Sequence, residues 1–165
     1  MKKFKNIESL QKFIKDKCKS GMNDVGKKVQ ESLKFFVLKN VYCAFTPEEY
    51  QRTYQLLESI SFKLLQSNKN QITVDIYFDK SKMQHTTLFG SEKLAISPNS
   101  NVYIPKWVDE GKTWDKPFHP RGGGHFMKDT LNDVKKNHRG FHYFAYSLVE
   151  HLRKSGIQVK KIKMI

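Results

Sequence analysis

The chain is poor in acidic side chains and poor in cysteine. Its 165 residues hold 16 Asp and Glu against 30 Lys and Arg, a formal net charge of +14. That imbalance favours an anionic neighbour, either nucleic acid or an acidic protein surface. The basic residues are spread out, and only the ends are dense: Lys2, Lys3 and Lys5, then Lys154, Lys160, Lys161 and Lys163. There are two cysteines, Cys18 and Cys43, with no Cys-x-x-Cys pair, so a zinc ribbon or dithiol redox motif is excluded. Both fall in helical stretches and are expected to be buried or half-buried free thiols. No apolar run approaches the ~20 residues needed to span a bilayer. No signal-like apolar block follows the charged start, so a cytoplasmic product with no membrane partner is expected.

What is present fits one folded domain. The sequence is 38% hydrophobic and 28% charged, which argues against wholesale disorder. No internal repeat or linker divides it, so residues 1–165 are expected to form a single domain. A basic N-terminal arm is expected at about 1–6 and a C-terminal arm at about 156–165.

Periodicity predicts a short helix over 7–19, with Leu10, Phe13 and Ile14 on one face, ended or kinked by Ser20-Gly21. A longer helix is expected over 23–43, with Val25, Val29, Leu33, Phe36, Val37 and Val41 as its apolar stripe. Thr46-Pro47-Glu48-Glu49 has the chemistry of a helix start: an N-cap, a proline in the first turn and a capping-box glutamate. Residues 59–64 and 71–78 alternate as strands, and the polar link 67–70 predicts a hairpin. Residues 86–89 and 94–96 are candidate short strands. Residues 102–104 predict a strand ended by Pro105. The stretch 107–124 holds four of the nine glycines and two of the five prolines, and predicts a long functional loop. Helices are expected at 126–137, with Met127, Leu131 and Val134 on one face, and at 141–154. Helices, then strands, then helices give an α+β class rather than a parallel α/β sheet.

No catalytic, cofactor or metal site stands out. His138 and His142 are four apart, yet Gly140 lies between them and no glutamate completes an HExxH motif. Arg121-Gly122-Gly123-Gly124 lacks the ending of a P-loop and predicts a hinge before a helix. Asp109 and Glu110 are adjacent, and in an extended segment they would point to opposite sides, a poor acid/base pair. Phe141, Tyr143, Phe144 and Tyr146 crowd one segment with His142. So many neighbouring rings cannot all face one core, which makes the four aromatics candidates for a subunit interface, with packing under the C-terminal arm as the alternative.

Three segments in order carry a resemblance. The first is Tyr50-x-Arg52-Thr53 followed by Leu56, Leu57, Ser59 and Ile60. The second is Tyr103, then Trp107-Val108-Asp109-x-Gly111 with Thr113. The third is a Pro/Gly-rich run from Pro117 through Gly122, Gly123 and Gly124 into Phe126-Met127. Together they resemble the tail-completion family of tailed bacteriophages, the neck, head–tail joining or minor capsid proteins. Residue 54 is Tyr where that family commonly has Gly. The resemblance implies a small antiparallel β-sheet packed against a long N-terminal helix, with C-terminal helices and a long loop. It implies a non-enzymatic virion protein, assembled in the host cytoplasm, that forms a hexameric or dodecameric ring at the head–tail junction. Other connector and tail proteins would be its partners, it would need no cofactor, and lysines would touch genomic DNA without sequence preference. A small basic nucleic-acid-binding protein is the alternative.

Overall fold

A computed structural model of the chain describes residues 4–44, 54–68, 71–83, 104–111, 123–135 and 141–158, the last of these up to residue 147 in backbone only. Its elements are a long N-terminal helix, a two-stranded antiparallel sheet packed against it, and helices toward the C-terminus, an α+β architecture.

The first helix, α1, runs unbroken over Ile7–Val37. Asn6 starts it, its Oδ1 accepting the Ser9 amide at 2.9 Å while the Ser9 hydroxyl donates to the Asn6 carbonyl at 2.8 Å. The Asn6 amide in turn donates to Ser9 Oγ at 3.4 Å, so the two side chains satisfy amides that a helix start leaves open. The expected break at Ser20-Gly21 does not occur. Glycine in a helix interior costs about 1 kcal/mol against alanine, but at Gly21 a Cβ would stand 2.5 Å from Leu148 Cδ1. The bare position is a packing notch rather than a stop signal. The helix then loosens into one π-helical turn, Leu38–Tyr42, closed by the Cys43 amide on the Leu38 carbonyl at 2.8 Å.

Helix α2 covers Gln55–Ser59 and leads directly into strand β1, Ile60–Asn68. Strand β2 is Gln71–Phe78, followed by a single 3-10 turn over Lys80–Lys82. Helix α3 covers Ile104–Glu110, so the expected strand over 102–104 and the expected loop from Trp107 are both corrected in the described part. Pro105 is the reason: its fixed φ and missing N–H suit a helix's first turn as well as a strand's end. Helices α4, Phe126–Lys135, and α5, Phe141–Lys154, complete the chain. The α5 helix ends in a left-handed Gly156, whose φ is +82°.

Backbone packing divides the chain into two units, one of residues 1–29, 62–76 and 132–165, the other of residues 30–61 and 77–131. In the first, Gly26 of α1 lets the sheet approach: a Cβ there would stand 2.6 Å from Phe62 Cδ2 and 3.1 Å from Val74 Cγ1. Val25 and Val149 are buried in this unit. On the solvent side Lys63 of β1 and Asp75 of β2 pair at 3.5 Å. In α5, Glu150 and Lys154 pair at 2.7 Å, which lowers the carboxyl pKa and raises the amine's through that hydrogen bond.

The second unit holds most of the buried apolar side chains: Leu33, Val37, Val41, Leu56, Ile60, Met83 and Phe126. Phe126 and Val37 are both fully buried, and Phe126 meets Phe78 edge-on at 6.0 Å. The face of α4 differs from the expected one. Phe126 and Thr130 turn inward, while Met127 and Leu131 are 44% and 53% exposed. The Thr130 hydroxyl donates to the Phe126 carbonyl at 2.7 Å, which lets a polar side chain sit inside. Cys18 is half-buried as expected, whereas Cys43 is exposed; both are free thiols.

Candidate functional site

The motif residues that the structure describes gather in the second unit, at two joints. At the first, α3 hands over to α4. Gly111 ends α3 in the left-handed region, with φ of +71°. The chain returns at Gly123, packed so closely on α3 that a Cβ there would overlap the Asp109 carbonyl oxygen. The amides of Gly124 and His125 then donate to the carbonyls of Val108 at 2.9 Å and Asp109 at 3.0 Å. These bonds satisfy two of the carbonyls that the end of α3 leaves open. They also hold His125 at φ of +48°, a strained value for a residue with a side chain.

Asp109 does a second job there. Its Oδ1 accepts the Met127 amide at 2.9 Å, so a carboxylate on α3 caps the start of α4 and sits at its positive end. Asn40, in the π-helical turn, completes the joint. Its side-chain amide donates to the Gly124 carbonyl and to Asp129 Oδ2, each at 2.8 Å. One side chain thereby ties the end of the long helix to the loop before α4 and to α4 itself.

The second joint lies where α2 becomes β1. Ser59 is fully buried; its hydroxyl donates to the Leu56 carbonyl at 2.8 Å and its own carbonyl accepts the Asp79 amide at 2.7 Å. The Gln30 side chain donates to the Ile60 carbonyl at 2.6 Å. Asp79 caps the 3-10 turn by accepting from the Ser81 hydroxyl at 2.7 Å and the Ser81 amide at 3.1 Å. Those two bonds hold its carboxyl pKa below the ordinary aspartate value. Tyr54, just before α2, adopts φ of 56° and stacks on Tyr42 with ring centroids 4.6 Å apart. A left-handed backbone is one that glycine adopts without cost and a side chain does not.

Of the sequence candidates, Ser59, Asp109, Gly111, Gly123, Gly124 and Phe126 are therefore caps, turns and core, and Met127 contributes its amide to a cap. Trp107 lies on α3, and Phe141, Tyr143, Phe144 and Tyr146 lie on α5. Tyr50, Arg52, Thr53, Tyr103 and Gly122 fall outside the described residues, as do the expected helix start at 46–49 and strands at 86–89 and 94–96. Asn40, Asp129 and Gln30 were not singled out from sequence, because their partners lie 84, 89 and 30 residues away. Among the described residues, no group of three or more His, Cys, Asp or Glu is placed to hold a metal ion. No described helix is long and apolar enough to cross a membrane. The polar groups named at both joints bond to backbone and neighbouring side chains.

A sequence profile of the YomN family matches residues 6–159, nearly the whole chain and both joints. The chain belongs to the YomN family. YomN is a phage-associated family, so the chain is a phage-associated protein. No curated protein and no solved structure matches this YomN chain.

Proposed function

We propose that this YomN chain is a structural protein of the phage particle, a tail-completion or neck subunit that forms a homo-oligomeric ring at the head–tail junction and has no catalytic role. The observation that supports this most is the placing of the motif residues. Ser59, Asp109, Gly111 and Phe126 are described as buried core, helix caps and a turn in one unit. Such residues hold a subunit rigid, which an assembly protein needs at the surfaces it presents to its neighbours.

Copies in a closed ring meet through heterologous contacts, one patch against a different patch on the next copy. The net charge of +14 gives such a ring attraction for the DNA that passes through it, through phosphates and without sequence reading. The same charge also favours the other reading, a small basic nucleic-acid-binding protein.

One experiment separates the two. Solution mass is measured across a concentration series at low and moderate salt, with and without random-sequence duplex DNA. A discrete ring-sized oligomer, or a concentration-driven step toward one, is the expected result. A strict monomer whose only salt-dependent partner is DNA would favour the nucleic-acid-binding reading instead.

A further inference from the structure

The first third of α1 carries large apolar side chains that the described structure leaves open. Ile7 is 73% exposed, and Phe4, Leu10 and Ile14 keep a little over a third of their surface open, at 37%, 38% and 39%. Ile7, Leu10 and Ile14 recur at helical spacing on one side and Phe13 extends that arc; Phe4, which precedes the helix, places its ring 5.1 Å from the Phe13 ring. The arc covers roughly a third of the helix circumference. Lys17 places its Nζ 5.7 Å from the centre of the Phe13 ring, its stem lying along apolar surface while the charge stays outside. Lys12, Lys15 and Lys19 lie on the rest of the helix circumference with Glu8 and Asp16, and Lys2, Lys3 and Lys5 precede the helix in the sequence.

We propose that this end of α1 is an interfacial segment that lays its apolar arc into the headgroup region of an anionic lipid bilayer. The pattern decides the partner. An apolar arc flanked by lysines fits the boundary between headgroups and acyl chains, where the aliphatic side chains and the Phe13 ring enter and the ammonium groups meet lipid phosphates. A duplex would attract the lysines but offers nothing to bury Ile7, Leu10 and Ile14. The inference is independent of the neck reading and departs from the sequence expectation that the chain meets no membrane.

The test is flotation of the full chain with vesicles of phosphatidylcholine alone, and of equal parts phosphatidylcholine and phosphatidylglycerol, at low and high salt. The chain is expected to float with the anionic vesicles and to bind neutral ones about tenfold more weakly or less. Ile7→Ser with Ile14→Ser leaves the charge unchanged and is expected to weaken anionic binding by about tenfold or more. Far-UV circular dichroism would confirm that this variant keeps its helices. A second variant, Lys12→Gln with Lys15→Gln and Lys19→Gln, is expected to reduce the preference for anionic over neutral vesicles. Equal binding by the serine variant and the wild type would overturn the proposal, because it would mean attraction by net charge with no insertion. Absence of binding to either vesicle would also overturn it, and would assign the arc to a protein partner.

Discussion

Asp109 on α3 accepts the backbone amide of Met127 on α4 at 2.9 Å. Removing the carboxylate leaves a helix start uncapped. Asp109→Ala is expected to destabilise the fold by about 1 kcal/mol, the usual worth of an N-cap. Asp109→Asn, which keeps an acceptor oxygen, is expected to lose less. Urea unfolding of both variants checks the order, and equal loss by the two would mean that the cap geometry contributes nothing.

Asn40 holds two acceptors that are distant in sequence, the Gly124 carbonyl and Asp129 Oδ2. Asn40→Ala strands both in a half-buried place, at an expected cost of about 1–3 kcal/mol. Asn40→Asp is expected to be worse still, since it sets a second carboxylate against Asp129 and removes the donor. A double-mutant cycle with Asp129→Ala would show the coupling as a non-additive term.

Tyr54 has its backbone in the left-handed region at φ of 56°, and its ring is stacked on Tyr42. A side chain in that region costs about 1–2 kcal/mol, and an aromatic pair returns about 0.5–1.5 kcal/mol. Tyr54→Gly is therefore expected to be close to neutral. Tyr54→Ala, which loses the stack and keeps the strain, is expected to be the less stable of the two by about 1 kcal/mol. Thermal melts of the pair read this directly, and an alanine variant as stable as the glycine one would refute the strain.

Gly26 tests packing against propensity. Alanine in a helix interior gains about 1 kcal/mol over glycine. Here its Cβ would stand 2.6 and 2.8 Å from the Phe62 ring. Overpacking of that kind costs about 1–3 kcal/mol, so Gly26→Ala is expected to lower the melting temperature. A rise would show that the ring moves aside freely.

Asp79 has its carboxyl pKa lowered by the hydroxyl and amide of Ser81. A depressed carboxylate stabilises the folded chain above its unfolded pKa, and that contribution is lost as pH falls through the folded value. The cap of the 3-10 turn is thus expected to survive mild acid and to open only below the ordinary aspartate range. Carboxyl-carbon NMR of Asp79 across an acid titration follows it, and Ser81→Ala is expected to move the midpoint upward.

How much of this the sequence reveals depends on how local each cause is. Strand β2 and helix α5 occupy the residues that alternation and helical periodicity mark, because those signals lie within the elements themselves. Gly21 misleads, since its cost as a helix residue is local while its use, admitting Leu148, is tertiary. Pro105 misleads because the same ring suits a helix's first turn and a strand's end. The face of α4 is misjudged because the Thr130 hydroxyl is satisfied by its own helix, which polarity alone does not register. At the joints, Asp109, Gly111 and Phe126 are visible as a motif, but the bonds that give them meaning join segments far apart in the chain. Asn40 carries no local mark at all.

We propose that the chain is a structural part of the phage particle. Quantitative mass spectrometry of purified, salt-washed particles tests it most directly. The chain is expected in those particles at a fixed, low copy number, retained with the head–tail connector proteins after washing. A chain abundant in the infected-cell lysate and absent from washed particles would contradict it.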